Sequence, residues 1–134
     1  MLTMSLYKAC LLACISILLG ACEKEPGFGG EASIYGKIYV KDYNATFTVL
    51  EEEYYGGDVE VYLVCGDDKS YSDRLRTNYD GTFEFRYLRK GHYRVYAYSR
   101  DSTLQTNAPV PVILEVEITK RKQHVETPDI VIFQ

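Results

Sequence analysis

A chain of 134 residues with a formal charge of −4 has room for one domain and lacks the concentrated positive charge that a nucleic-acid surface requires. Two histidines, neither with a ligand partner at a readable spacing, leave zinc chemistry and Cys–His catalysis without parts. Thirteen tyrosines and no tryptophan make tyrosine the aromatic residue whose placement matters most.

Taken in chain order, Lys8 precedes an apolar run, Ala9 to Ala21, that is too short to span a bilayer comfortably and reads as the core of a signal peptide. The run ends Leu19-Gly20-Ala21-Cys22, which resembles the lipobox of bacterial lipoproteins. That resemblance implies a leader over residues 1–21, removed after Ala21, and acylation of Cys22 as the mature N-terminus. It also implies a lipid-anchored protein of the outer membrane. Cys10 and Cys14 then leave with the leader and Cys22 carries lipid, so Cys65 is the remaining thiol and no intrachain disulfide is expected. Cys65 is in phase with Val59, Val61 and Leu63, which predicts a small core residue rather than a nucleophile.

Residues 22–32 read as the lipidated cysteine and a flexible tether. The segment Glu23 to Ala32 is rich in charge, glycine and proline, and ten residues reach at most ~35 Å. Its acidic and lysine residues resemble the export signal that sends lipoproteins to the cell surface in some Gram-negative lineages, although Glu23-Lys24-Glu25 departs from a lysine followed by two acids. The cell-surface face is therefore favoured over the periplasmic one.

The first strand is predicted over Ser33 to Lys41, with Ile34, Gly36, Ile38 and Val40 on one face and Tyr35, Lys37, Tyr39 and Lys41 on the other. Residues 42–58 read as a hairpin or a long loop, with the path open. Val59 to Cys65 is a clear strand and Ser72 to Asn78 a weaker one. The stretch Thr77 to Tyr98 has Asp80-Gly81 and Gly91 at two turns, with Phe83, Phe85, Tyr93, Val95 and Ala97 in an inward phase; it predicts a β-meander in an antiparallel sheet. Pro109 and Pro111 limit pairing at the start of the next run and place it at a sheet edge. Val112, Leu114, Val116 and Ile118 form its inner face, and Val125 to Phe133 returns as the last strand. About seven strands separated by regular turns predict an all-β, antiparallel sandwich over residues 33–134.

Four segments carry a family resemblance: Gly36-Lys37-Ile38-Tyr39-Val40, Val59-Glu60-Val61-Tyr62-Leu63, Thr77 to Phe85, and Leu88-Arg89-Lys90-Gly91-His92-Tyr93-Arg94-Val95. Together they resemble the carboxypeptidase regulatory-like domains, which share an Ig-like, transthyretin-like or Cna-B-like β-sandwich. The resemblance implies a non-catalytic module with no cofactor and no metal. Lipoproteins of this kind imply an accessory role in a cell-envelope complex, for example a nutrient-uptake assembly, with an envelope protein or extracellular polymer as partner. The alternative is a structural or adhesive surface module, acting as a spacer or joined by strand addition.

The residues themselves agree with a non-catalytic role. His92 follows a turn glycine and His124 lies beside a basic turn, without ligand partners at a readable spacing. Serines 33, 70, 72, 99 and 102 sit in no nucleophile-elbow context. Asn78 to Gly81 and Asp67-Asp68 are explained by turn formation and fall short of a calcium loop. Asp101-Ser102-Thr103 resembles a bacterial O-glycosylation sequon, which makes Ser102 a candidate acceptor, whereas Asn44-Ala45-Thr46 matches an N-glycan sequon that a bacterial lipidation signal renders idle. By alternation Tyr35, Tyr39, Tyr62, Tyr96 and Tyr98 all face outward. If their strands share a sheet they form an aromatic binding platform; otherwise they are tyrosines suited to exposed strand positions. Tyr93 is in the inward phase and is expected to bond its hydroxyl near a turn.

Overall fold

The computed structural model describes residues 24–134; the expected leader, Cys10, Cys14 and the expected acylation site Cys22 lie outside the described residues. Nine strands and no helix occur among the described residues: β1 (Phe28–Tyr43), β2 (Leu50–Tyr55), β3 (Glu60–Cys65), β4 (Asp73–Arg76), β5 (Thr82–Leu88), β6 (Gly91–Ser99), β7 (Val110–Ile118), β8 (His124–Glu126) and β9 (Ile130–Phe133). β1 is the centre of a five-stranded sheet, and β4-β3-β6-β7 form a four-stranded one. The two pack face to face as a sandwich.

The core follows from strand alternation. Ile34, Ile38 and Val40 of β1, Phe83 and Phe85 of β5, and Ile130 and Ile132 of β9 point inward from the larger sheet. They meet Val61, Leu63 and Cys65 of β3, Tyr93, Val95 and Ala97 of β6, and Val116 and Ile118 of β7. Cys65 is a buried free thiol in this layer. Gly36 occupies an inward position where a side chain would collide with the Thr127 hydroxyl and the Phe83 ring, so β1, β5 and the segment before β9 close together there.

The sheets are not purely antiparallel. β8 and β9 both run parallel to β1, with Ser33 opposite His124 and Ile38 opposite Ile130. The reason is directional: β7 ends with Ile118 opposite Gly91, at the end of the sandwich where β1 begins, and a short turn delivers the chain alongside β1 in the same sense. The expected last strand, Val125 to Phe133, is split because Thr127-Pro128-Asp129 interrupts it and Pro128 has no N–H to donate. That split, together with β2, gives nine strands where seven were expected.

The Thr77–Tyr98 stretch is not a meander. Its Asn78–Gly81 turn forms as expected, with Gly81 N–H donating to the Asn78 carbonyl at 2.9 Å and Gly81 at φ 82°. Yet β5 pairs with β1, while β6 pairs with β3 and β7. Phe83 and Phe85 therefore face Tyr93 and Val95 across the core instead of lying beside them.

β1 starts at Phe28, five residues before the expected Ser33. Phe28 lies opposite Leu88, and Arg89 N–H donates to the Gly27 carbonyl at 2.8 Å, so half of the expected tether is docked. Gly29, at φ 106°, and Gly30, packed against the Leu88 carbonyl, permit the irregularity in this part of the strand. Residues 42–58 resolve into a hairpin: β2 runs antiparallel to β1 with Tyr39 opposite Tyr55, and every β2 residue is exposed. Arg100 holds the hairpin turn by donating Nη2 to the Tyr43 and Asn44 carbonyls at 2.9 Å each, and its guanidinium lies 4.1 Å from the Phe47 ring centroid. As the prolines predict, β7 is a sheet edge.

The loop after β6 is organised by one carboxylate. Asp101 accepts the Thr103 hydroxyl at 2.6 Å, the Thr103 N–H at 2.9 Å, and the Gln105 and Thr106 N–H groups at 3.1 Å each. These bonds, those from Thr103 foremost, hold its pKa below the ordinary 3.8. A lowered folded-state pKa stabilises the loop above the unfolded value, and that contribution disappears as pH falls through the folded one. The Thr103, Gln105 and Thr106 amide resonances are therefore expected to titrate with a midpoint below 3.8. A midpoint at or above that value in an NMR titration would contradict the assignment.

Candidate functional site

The five tyrosines do not share a sheet. Tyr35 and Tyr39 lie on the outer face of β1, whereas Tyr62, Tyr96 and Tyr98 lie on the outer face of the four-stranded sheet, on the other side of the core. The single platform is thus two faces, because β1 and β3 belong to opposite layers.

The four-stranded sheet carries the denser cluster. Tyr62 of β3 lies directly opposite Tyr96 of β6, and the two rings stack at 4.8 Å with an interplanar angle of 7°. Tyr98 meets both edge-on, at 5.5 Å from Tyr62 and 5.6 Å from Tyr96. Tyr71, in the turn before β4, closes over Tyr62 at 5.1 Å. Edge-to-face and stacked packing of this kind is favourable for ring quadrupoles and helps to fix each ring. Tyr62 is only 8% exposed and forms a floor, while Tyr71 at 48%, Tyr98 at 44% and the neighbouring Ile113 at 51% form accessible walls.

Charged groups frame the strip. The Tyr62 hydroxyl donates to Glu60 Oε2 at 2.9 Å, and Glu60 pairs with Arg76 at 3.4 Å and Arg74 at 3.8 Å. The bond to Glu60 and burial push the Tyr62 pKa up; burial, then the neighbouring tyrosines, do the same for Tyr96. Both hydroxyls stay protonated at neutral pH, and the single O–H of Tyr62 is committed to Glu60.

The opposite face is sparser. Tyr39 meets Tyr55 of β2 edge-on at 5.2 Å, and the Lys37 ammonium lies 4.8 Å from the Tyr55 ring centroid. The Tyr55 hydroxyl donates to Asp129 at 3.0 Å, which raises its pKa. Tyr35 stands between Glu84 and Glu126 of the flanking strands, apart from the Tyr39–Tyr55 pair. Alternation missed Tyr71 because it precedes its strand, and Tyr55 because its segment had no assigned path.

Ser33 Oγ and His124 Nδ1 are 2.6 Å apart, a contact across 91 residues that the sequence did not announce. Ser33 is buried beneath β8, and the bond ties β8 to β1. His92 pairs with Glu117 across β6 and β7 at 3.2 Å. Among the described residues no group of His, Cys, Asp and Glu side chains converges to hold a metal. Ser102 is exposed in the loop after β6, whereas the Thr103 hydroxyl is committed to Asp101. Tyr93 is fully buried, and its hydroxyl donates to the Arg89 carbonyl at 2.6 Å, as its inward phase and nearby turn predicted.

No family model matches the chain, and no curated protein matches it. Among solved structures it is similar to a proposed carbohydrate-binding protein of Pseudomonas aeruginosa, with a TM-score of 0.47 and 14% identity over 85% of this chain and 93% of that one.

Proposed function

We propose that the protein is a non-catalytic binding module of the cell envelope. Acylated Cys22 moors it to the outer membrane, on the cell-surface side, and the outer face of the four-stranded sheet receives an envelope protein or an extracellular polymer. Its place is that of an auxiliary part in an assembly such as a nutrient-uptake complex. The observation that carries this is the cluster of Tyr62, Tyr71, Tyr96 and Tyr98, with rings 4.8 to 5.6 Å apart. Fixed rings offer contact area at little entropic cost, and exposed walls around a buried floor are the form of an aromatic anchor site. The adhesive alternative by strand addition is disfavoured by Pro111 within edge strand β7, with Pro109 just before it, and by the charged, four-residue edge strand β4.

Tyr71→Ser with Tyr98→Ser removes the two exposed aromatic walls and spares the core. Affinity purification from native membranes is expected to lose the partner, with affinity falling about 30-fold or more if these rings behave as hot-spot residues. Tyr35→Ser should leave recovery unchanged. Equal recovery from the double variant would end the proposal for this face. Separately, Cys22→Ala is expected to move the protein out of the membrane fraction, since two acyl chains are enough for stable anchoring; retention there would end the mooring.

A further inference from the structure

We infer that the end of the sandwich where β1 begins lies flat against the membrane and binds anionic lipid headgroups, an inference that rests on the acylation of Cys22 proposed above. The observation behind it is that the expected tether is taken up by the fold. Arg89 Nε donates to the Glu25 carbonyl at 2.8 Å, Arg89 N–H to the Gly27 carbonyl at 2.8 Å, and Gly27 N–H to the Tyr93 hydroxyl at 2.9 Å. Only Glu23 and Lys24 separate Cys22 from Glu25, so the leash spans about 10 Å at most instead of the ~35 Å a free segment would reach. A leash that short holds this end at the headgroup layer.

The charges at this end suit that position. The β5–β6 turn presents Arg89 and Lys90, the β7–β8 turn presents Lys120, Arg121 and Lys122, and Lys24 enters between them. A depression of about 800 Å³ lies here, lined by Lys24, Arg89, Lys90, Thr119 and Arg121 among others. The acids at the same end are fewer than its cations. Glu31 pairs with Arg121 at 3.4 Å and Glu117 with His92 at 3.2 Å, while Glu25, Glu23 in the leash sequence and, beside Lys69 on the β3–β4 turn, Asp67 and Asp68 remain. In a chain with 19 acids against 15 lysines and arginines, six of those cations, Lys24, Arg89, Lys90, Lys120, Arg121 and Lys122, stand at the end nearest the anchor. Each Lys or Arg held within a Debye length of an anionic surface strengthens association about fivefold.

The full acylated protein, reconstituted into vesicles of phosphatidylglycerol and phosphatidylcholine or of phosphatidylcholine alone, tests this by trypsin cleavage. Cleavage after Lys120 and Arg121 is expected to slow about tenfold or more on the anionic vesicles relative to the zwitterionic ones. Cleavage after Arg74 and Arg76, on the outer face of the four-stranded sheet, should be equal on both. Salt at ~1 M should erase the difference, and so should Lys90→Glu combined with Lys122→Glu. Equal cleavage on the two vesicles, with the acyl chains confirmed by mass, would overturn the headgroup surface and leave the mooring intact. A mature mass without acyl chains would instead overturn the mooring and, with it, this inference.

Discussion

A chain stopped after Asp129 is expected not to fold. The missing residues include Ile130 and Ile132, each 1% exposed in the centre of the core. Removing a buried isoleucine side chain typically costs about 2–5 kcal/mol, and two are lost together. The loss extends to the backbone. β9 pairs with Ile38 to Lys41, and Phe133 N–H donates to Ser99 Oγ at 2.8 Å while its carbonyl accepts the Arg100 N–H at 2.9 Å. Deletion leaves those groups on the retained strands without partners beside an opened core. A domain of this size has a total stability of about 5–15 kcal/mol, so the summed loss reaches the whole of it. Far-UV circular dichroism during heating checks this: the truncated chain should show no cooperative transition, and a sharp one would refute the expectation. Ile132→Ala alone should keep the transition at a lower temperature.

Tyr93→Phe is expected to lower stability by about 1–3 kcal/mol while preserving the shape of the core. The ring is fully buried, so its packing survives; what is lost is the hydroxyl. That group accepts the Gly27 N–H at 2.9 Å and donates to the Arg89 carbonyl at 2.6 Å, joining the entry of β1 to the β5–β6 turn. Without it a buried donor and an acceptor lose their partner, and the segment before β1 is held by its bonds to Arg89 alone. Hydrogen exchange at Gly27 should accelerate well beyond the change in global stability. Unaltered exchange there would show that the hydroxyl is not what holds the segment.

Much of this fold is legible in the residues themselves, and the limits are instructive. Alternation along β1, β3, β6 and β7 identifies the inward phase from Ile34 through Ile118, because burial on one face demands a period of two. What alternation does not contain is which strand lies beside which. Phe83 and Tyr93 have the same inward phase whether their strands are neighbours in one sheet or face each other across the core, so the expected meander and the observed crossover look alike in sequence. The same ambiguity divides the tyrosines: Tyr39 and Tyr96 are both outward residues, but of different layers. The segment before Ser33 differs from its expectation for another reason. Glycine and proline in Glu23 to Ala32 suggest freedom, yet Gly30 is required where β1 passes the Leu88 carbonyl too closely for a side chain.

The direction of β9 has a mechanical result. Because it runs parallel to β1, β1 begins at one pole and β9 ends at the other, where Tyr43 N–H meets the Gln134 carbonyl at 2.9 Å. The sixteen residues of β1 set the distance between poles at roughly 50 Å. Tension applied between the termini would load the ladder from Ile38–Ile130 to Lys41–Phe133 in shear, straining its bonds together rather than peeling them one at a time. A body strung this way resists pulling along the axis that joins its two poles.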